Sequence, residues 1–219
     1  MSKHALYEKR PWLLASIVAS LAYFELRDAN LPELVPIACK GAAVATLAIY
    51  ALLRHAGRDG QLLFLVLALG SAGDVAIEFD QNVGGACFFA GHLAAITLYL
   101  RHPRGHSSAL HKLAVVALLV GTPVAAWLLP ADRELALAVG LYALALGGMA
   151  ASAWASSFPR YRVGGGALLF VISDLLIFAR LGPLAGNPVA GTLVWPCYYV
   201  AQFLICTGVV QTLRRQNPG

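Results

Sequence analysis

The stretch VGGGALLFVISDLLIFARL, residues 163–181, decides the fold class of this chain. It has about the 20 apolar residues that a helix needs to cross the hydrocarbon core of a bilayer, and it carries the carboxylate of Asp174 inside the block. A helix is expected, because a strand edge exposed to lipid leaves its backbone polar groups unsatisfied. A charge within such a block costs at least about 2.5–3.5 kcal/mol on insertion scales, so Asp174 is a candidate functional residue.

Similar apolar blocks fill most of the chain. The 219 residues are 59% hydrophobic and 12% charged, whereas a soluble domain carries roughly twice that charged fraction. The sequence therefore predicts an all-α, polytopic membrane bundle of about eight transmembrane helices, in a single transmembrane domain over residues 1–219. The predicted spans are residues 12–26, 31–53, 62–79, 83–100, 110–129, 135–155, 163–181 and 189–213.

Lysine and arginine are distributed unequally between alternate loops. One set of loops carries three of them, Arg27, Arg133 and Arg180, and the other set carries twelve: Lys3, Lys9, Arg10, Arg54, Arg58, Arg101, Arg104, Lys112, Arg160, Arg162, Arg214 and Arg215. The positive-inside rule therefore places both termini in the cytoplasm. Because these charges form no basic helix face, the net charge of +5 does not indicate a nucleic-acid partner.

The third and seventh spans resemble each other. Residues 62–74, LLFLVLALGSAGD, and residues 168–174, LLFVISD, each run from a Leu-Leu-Phe triplet to an aspartate. This similarity suggests two parallel four-helix repeats, residues 11–101 and 109–214, in which equivalent residues lie at similar depth.

Ionisable side chains lie inside four different spans. At 1.5 Å per residue from the outer helix ends, Asp74 lies about 8 Å deep, Asp174 about 12 Å, Lys40 about 14 Å and His92 about 15 Å. Their shared location in the outer half of the membrane predicts a single polar cavity open to the outer side.

Other interpretations of these residues stay open at this point. Polar groups such as His92 and Gln202 can simply join helices by hydrogen bonds, and Lys40 can be the counter-ion of one aspartate. Tyr198 and Tyr199 fit an interfacial aromatic belt. A last group lies near outer helix ends, where water can solvate it: Glu25, Glu78 and Asp80.

Two buried carboxyl groups, Asp74 and Asp174, could act as the general acid and the general base of one reaction. One of them can stay protonated in an apolar setting while a cation such as Lys40 keeps the other ionised. A catalytic zinc needs about three protein ligands, and His92 is the one histidine deep within a span, since His111 lies at the cytoplasmic start of the fifth span. The four cysteines Cys39, Cys87, Cys197 and Cys206 lie inside apolar blocks, as small buried hydrophobes do. No metal or cofactor is expected.

Four motifs carry a resemblance to a known family. They are Gly73-Asp74, Phe88-Phe89-x-x-His92, residues 166–174 (GALLFVISD) and Tyr198-Tyr199-x-x-Gln202. In this order they resemble the YhhN family, which includes the lysoplasmalogenases, and the similarity runs from Lys40 to the last span. Gly41 departs from the proline that often follows the lysine in the family.

The resemblance implies an eight-helix enzyme that hydrolyses the vinyl ether bond of lysoplasmalogens to a fatty aldehyde and a glycerophospho-base. It implies Asp74 and Asp174 as the catalytic pair. The residues themselves favour Asp174 as the acid, because Asp74 has Lys40 in a neighbouring half and a more polar helix face. A one-chain lysophospholipid would enter from the surrounding membrane lipids, and no oligomeric state is indicated. The expected substrate-binding residues are Lys40, His92, Tyr198, Tyr199, Gln202, Ser173 and Glu78.

Two other functions use the same features. A small lipid transporter or lipid-binding protein also combines repeats with charges near the membrane midplane, and an intramembrane hydrolase could cleave another lysolipid bond. Arginine outnumbers lysine twelve to four and alanine is abundant, as in GC-rich bacteria. We therefore expect the bacterial inner membrane, with the cavity open to the periplasm.

Overall fold

The apolar blocks fold as α-helices in the computed structural model, which describes residues 10–105 and 108–216. Short loops rich in Gly, Pro and Asp separate them. Within the described ranges the helices are α1 (Arg10–Leu26), α2 (Leu34–Arg54), α3 (Arg58–Ala76), α4 (Gln81–Leu100), α5 (Ala109–Leu128), α6 (Arg133–Ala155), α7 (Gly165–Ala179) and α8 (Pro188–Gln216). A π-helical turn, Arg160–Gly164, leads directly into α7.

Seven of the eight described helices are long and apolar enough to cross a membrane. In this count α7 is taken together with the π turn, as the 20-residue run Arg160–Ala179, and the exception is α1, which has 17 residues. This confirms the prediction of a polytopic helical bundle, and the protein is a multi-pass integral membrane protein. Lys3 and Lys9, which contribute to the predicted orientation, lie outside the described residues, and the orientation stays a prediction.

The third helix ends earlier than its hydropathy suggests. The amide of Asp80 donates to the carbonyl of Ala76 at 2.8 Å, so that Ile77, Glu78 and Phe79 form a turn. Ile77 and Phe79 are apolar, and hydropathy alone cannot separate them from the span. Glu78 therefore lies in the turn just after α3.

The described chain forms two compact units, and the first contains α1, α2 and α3. It also includes α4 up to Ala94 and α8 from Val210 onward. Within this unit α1 packs on α2 and α2 on α3. Serine hydroxyls join the helices: Ser16 donates to the carbonyl of Ala43 at 2.6 Å, and Ser71 donates to that of Gly41 at 2.8 Å.

The second unit, Ala95–Val209, contains α5, α6, the π turn and α7, together with the end of α4 and most of α8. Here α5 packs along α6, and both contact α7. Ser173 on α7 donates a hydrogen bond to the carbonyl of Val194 on α8 at 3.0 Å. The proposed repeat is not tested by this division and stays a prediction.

Candidate functional site

Asp174 on α7 is buried, with 6% of its surface exposed. The hydroxyl of Tyr142 on α6 donates a hydrogen bond to Asp174 Oδ2 at 2.8 Å. The Tyr142 ring in turn packs edge-on against Phe178, with ring centroids 5.8 Å apart. The carboxyl group is therefore held in a defined orientation through one of its two oxygens.

Sequence reasoning missed Tyr142, although its depth is informative. It lies nine residues after Arg133, where α6 begins, and so about 14 Å from that helix end. This is close to the depth estimated for Asp174. A tyrosine attracts little attention in an apolar span, because its ring suits the surroundings and only its hydroxyl needs a partner.

The other predicted residues of the second unit form a buried aromatic cluster. Tyr198 and Tyr199 are 5% and 8% exposed, which excludes the interface-belt interpretation, since both rings are enclosed by protein. Tyr198 meets the Phe170 ring edge-on at 5.2 Å, and Trp195 stacks on Tyr199 at 6.1 Å. This cluster joins α7 to α8 beside Ser173.

Gln202 is the polar member of that cluster. Its Nε2 donates a hydrogen bond to the Tyr198 hydroxyl at 3.2 Å, and the residue is 2% exposed. Its buried Oε1 has no hydrogen-bond partner among the described residues. A buried amide oxygen without a partner is costly, so Gln202 is suited to accept a hydrogen bond from a ligand hydroxyl or a water molecule.

In the first unit, Lys40 on α2 forms an ion pair with Glu78. Lys40 Nζ lies 2.5 Å from Glu78 Oε1, and the two side chains are 13% and 35% exposed. The ammonium group also lies 5.6 Å from the centroid of the Tyr23 ring. Glu78 is thus an ion-pair partner rather than a freely solvated group. The expected role of Lys40 as the counter-ion of an aspartate stays a prediction.

Asp74 and His92 are almost completely buried. Asp74 on α3 is 2% exposed and His92 on α4 is 3% exposed. The helices approach closely at Gly73, where a Cβ atom would lie 2.9 Å from Cε2 of Phe88. Asp74 belongs to the first unit and Asp174 to the second, so the predicted meeting of the two carboxyl groups stays a prediction.

No metal-binding cluster is found in residues 10–105 and 108–216: His, Cys, Asp and Glu do not come together there in groups of three or more. A surface groove of about 260 Å³ lies between α5 and α6. Its lining is apolar and contains no predicted site residue: Pro123, Val124, Trp127, Leu137, Gly140 and Leu141. We attribute this groove to the lipid-facing surface.

Comparison with known families gives a match to this chain. The model of the YhhN family matches residues 35–209, which is most of the chain and includes all of the predicted site residues. Neither the curated proteins nor the solved structures gave a match.

Proposed function

Because the chain belongs to the YhhN family, we propose that it is a membrane-embedded hydrolase that cleaves the vinyl ether bond of lysoplasmalogens. The products are a fatty aldehyde and glycerophosphoethanolamine or glycerophosphocholine. The observation that carries this proposal is the buried Asp174 carboxyl group, oriented by Tyr142 inside a membrane helix. We place the protein in the bacterial inner membrane, with substrate entering from the outer leaflet.

The chemistry requires an acid, a water molecule and no electron transfer. Protonation of the vinyl ether at the carbon remote from oxygen gives an oxocarbenium ion. Water adds to the adjacent carbon and loses a proton, which gives a hemiacetal. The carbon–oxygen bond to the glycerol then breaks, and the glycerol oxygen takes the hydroxyl proton as the aldehyde forms. General acid catalysis of the first step contributes about 10²- to 10⁴-fold.

The residues take separate parts in this scheme. Asp174 gives its proton to the substrate from Oδ1 while Tyr142 holds Oδ2, and Asp74 is the carboxylate that stabilises the cation and accepts a proton from water. The Gln202 amide oxygen, which lacks a partner among the described residues, orients a hydroxyl group or the water. Further proposed substrate-binding residues are Lys40, Glu78, His92, Ser173, Tyr198 and Tyr199.

A substrate panel tests the proposal. Purified protein receives lysolipids of matched chain length with a vinyl ether, an ester or a saturated ether bond, and aldehyde and fatty acid are measured. We expect aldehyde from the vinyl ether alone. Asp174→Asn and Asp74→Asn should each reduce its release by about 10²- to 10⁴-fold while the unfolding temperature stays near that of the native protein.

Asp28→Asn is the matched control, because this carboxylate lies in the loop after α1 with its side chain 86% exposed. It should retain full activity. Cleavage of the ester alone would replace the proposal with another lysolipid hydrolase. Binding of lysolipid without any product would instead favour a transporter or a lipid-binding protein, and full activity in both site variants would eliminate the assigned roles.

A further inference from the structure

Three basic side chains lie near enough for their charges to interact at the end of the second unit where α4 ends and α5 begins. Arg104 lies in the loop after α4, His111 in the first turn of α5 and Arg160 in the π turn that leads into α7. The charges of Arg104 and Arg160 act on His111 and on each other. We call these three residues the basic cluster. None of them belongs to the proposed catalytic machinery.

Arg104 is fixed in place by backbone carbonyl groups. Its Nε donates to the carbonyl of Ser156 and its Nη2 to that of Phe158, both at 3.0 Å. Phe158 is fully buried and packs against the His102 ring at 4.9 Å. The guanidinium group is thus attached to the loop between α6 and α7 and keeps further N–H donors for a ligand.

The other two members have buried nitrogens that lack partners. His111 is 6% exposed, and neither its Nδ1 nor the Nε of Arg160 has a hydrogen-bond partner in the described part of the chain. Leaving a buried polar atom unsatisfied is costly. Excess positive charge in these loops follows from membrane orientation, but orientation alone gives no reason to bury nitrogens that lack partners beside other basic groups.

The second unit offers no nearby counter-charge. Its acidic residues are Asp132, Glu134 and Asp174. Asp174 is engaged by Tyr142, and the other two lie at the start of α6, at the opposite end of that helix from Ser156. The helical run Arg160–Ala179 also begins without a side-chain cap, so its positive dipole end adds to the local charge.

We propose that the basic cluster binds a phosphate group. Arg104 and Arg160 supply charge-assisted hydrogen bonds to its oxygens, and His111 supplies a further hydrogen bond from its ring. The phosphate belongs either to the headgroup of an anionic phospholipid in the adjacent leaflet or to a soluble phosphate. This site is separate from the catalytic residues and does not depend on the proposed hydrolase activity.

Thermal unfolding of the full-length protein in an uncharged detergent tests the soluble source. Inorganic phosphate should raise the unfolding temperature saturably, whereas sodium chloride at equal ionic strength should not. Native mass spectrometry with phosphatidylglycerol and phosphatidylcholine tests the lipid source, and selective retention of phosphatidylglycerol is the expected result. A response in either arm supports the site and identifies the source.

Variants decide whether the effect belongs to the cluster. Arg160→Gln should weaken phosphate or lipid binding by about tenfold. Lys112→Gln removes an equal charge from the exposed neighbour of His111 and should change binding less than about twofold. If Arg160→Gln does not fold, His111→Phe carries the same expectation. Equal losses in the cluster and control variants, or no selective response in either arm, would overturn the proposal.

Discussion

At the scale of single residues, the contact between Tyr142 and Asp174 offers the sharpest test of the acid. Tyr142→Phe keeps the ring that packs against Phe178 and removes only the hydroxyl that donates to Oδ2. A hydrogen bond to a carboxyl group contributes about 1–3 kcal/mol, so kcat for aldehyde release should fall about tenfold. KM should stay unchanged, because in the proposed mechanism Tyr142 orients the acid and does not contact the lipid.

Tyr161→Phe is the control for that experiment, since it is the same chemical change at a side chain that is 75% exposed. Its kinetics and unfolding temperature should match those of the native protein. An unchanged kcat in Tyr142→Phe, or a rise in KM alone, would show that Tyr142 does not position the acid.

Glu78→Gln tests the ion pair with Lys40. The change leaves the ammonium group, which is 13% exposed, without its carboxylate partner. Exposed pairs contribute about 0–1 kcal/mol and breaking a buried pair costs about 3–5 kcal/mol. For this half-buried pair we expect a loss of about 1–2 kcal/mol, measured by unfolding in detergent. The exposed Glu25→Gln should change nothing, and equal stability of both variants would contradict a structural role for the pair.

The candidate site was predictable only in part, and for a physical reason. Asp74 and Asp174 are recognisable in the sequence because a carboxylate is costly, and therefore rare, within an apolar span. Tyr142 does not, since a phenol ring is compatible with a lipid-buried helix. Its partnership with Asp174 depends on how α6 packs against α7, and helices that are apolar on all sides carry little periodic signal about which face meets which neighbour.

At the scale of helices, the close approach of α2 and α3 depends on Gly41. A Cβ atom there would lie 2.6 Å from Cγ2 of Val75, and the Gly41 carbonyl accepts the hydrogen bond from Ser71. Gly41→Leu should separate the helices, break that hydrogen bond and destabilise the protein by about 1–3 kcal/mol. Lys40, the preceding residue, should lose its alignment with Glu78.

Gly121→Leu on α5 is the matched control, because a Cβ atom at Gly121 would have no neighbour within 4 Å. Its unfolding temperature should stay within a degree or two of the native value, since the new side chain adds no overpacking. Equal destabilisation at both positions would mean that α2 and α3 do not depend on a small residue at their crossing.

The sequence predicts where each helix lies more accurately than it predicts the residues at which the helix begins and ends. The last predicted span, residues 189–213, became α8 from Pro188 to Gln216, with Pro196 inside it. Hydropathy placed the end of α3 too late, because the turn closed by Asp80 contains two apolar residues. It also missed the π turn before α7, because backbone hydrogen bonds rather than apolar character distinguish that turn from the rest of the span.

At the scale of the whole molecule, the orientation in the membrane determines which leaflet supplies each ligand. The excess of lysine and arginine in alternate loops predicts that the loops after α2 and α4 are cytoplasmic and that those after α1 and α5 face outward. The same orientation places the proposed acid in the outer half of the membrane. It also turns the basic cluster towards the cytoplasmic leaflet.

Cysteine labelling in intact cells tests this orientation. With the four native cysteines replaced by alanine, single cysteines are placed at exposed loop positions: Ala29 and Ala131 for the predicted outer side, Ala56 and Gly105 for the cytoplasmic side. A membrane-impermeant maleimide should label the outer pair in intact cells and all four after permeabilisation, because only the outer loops meet the reagent directly. The reverse pattern would move lysolipid entry to the cytoplasmic leaflet and the basic cluster to the outer one. Each unit contributes one predicted outer position and one predicted cytoplasmic position. If only one position of the outer pair were labelled in intact cells, or one position of each pair, the predicted eight-span topology itself would be rejected.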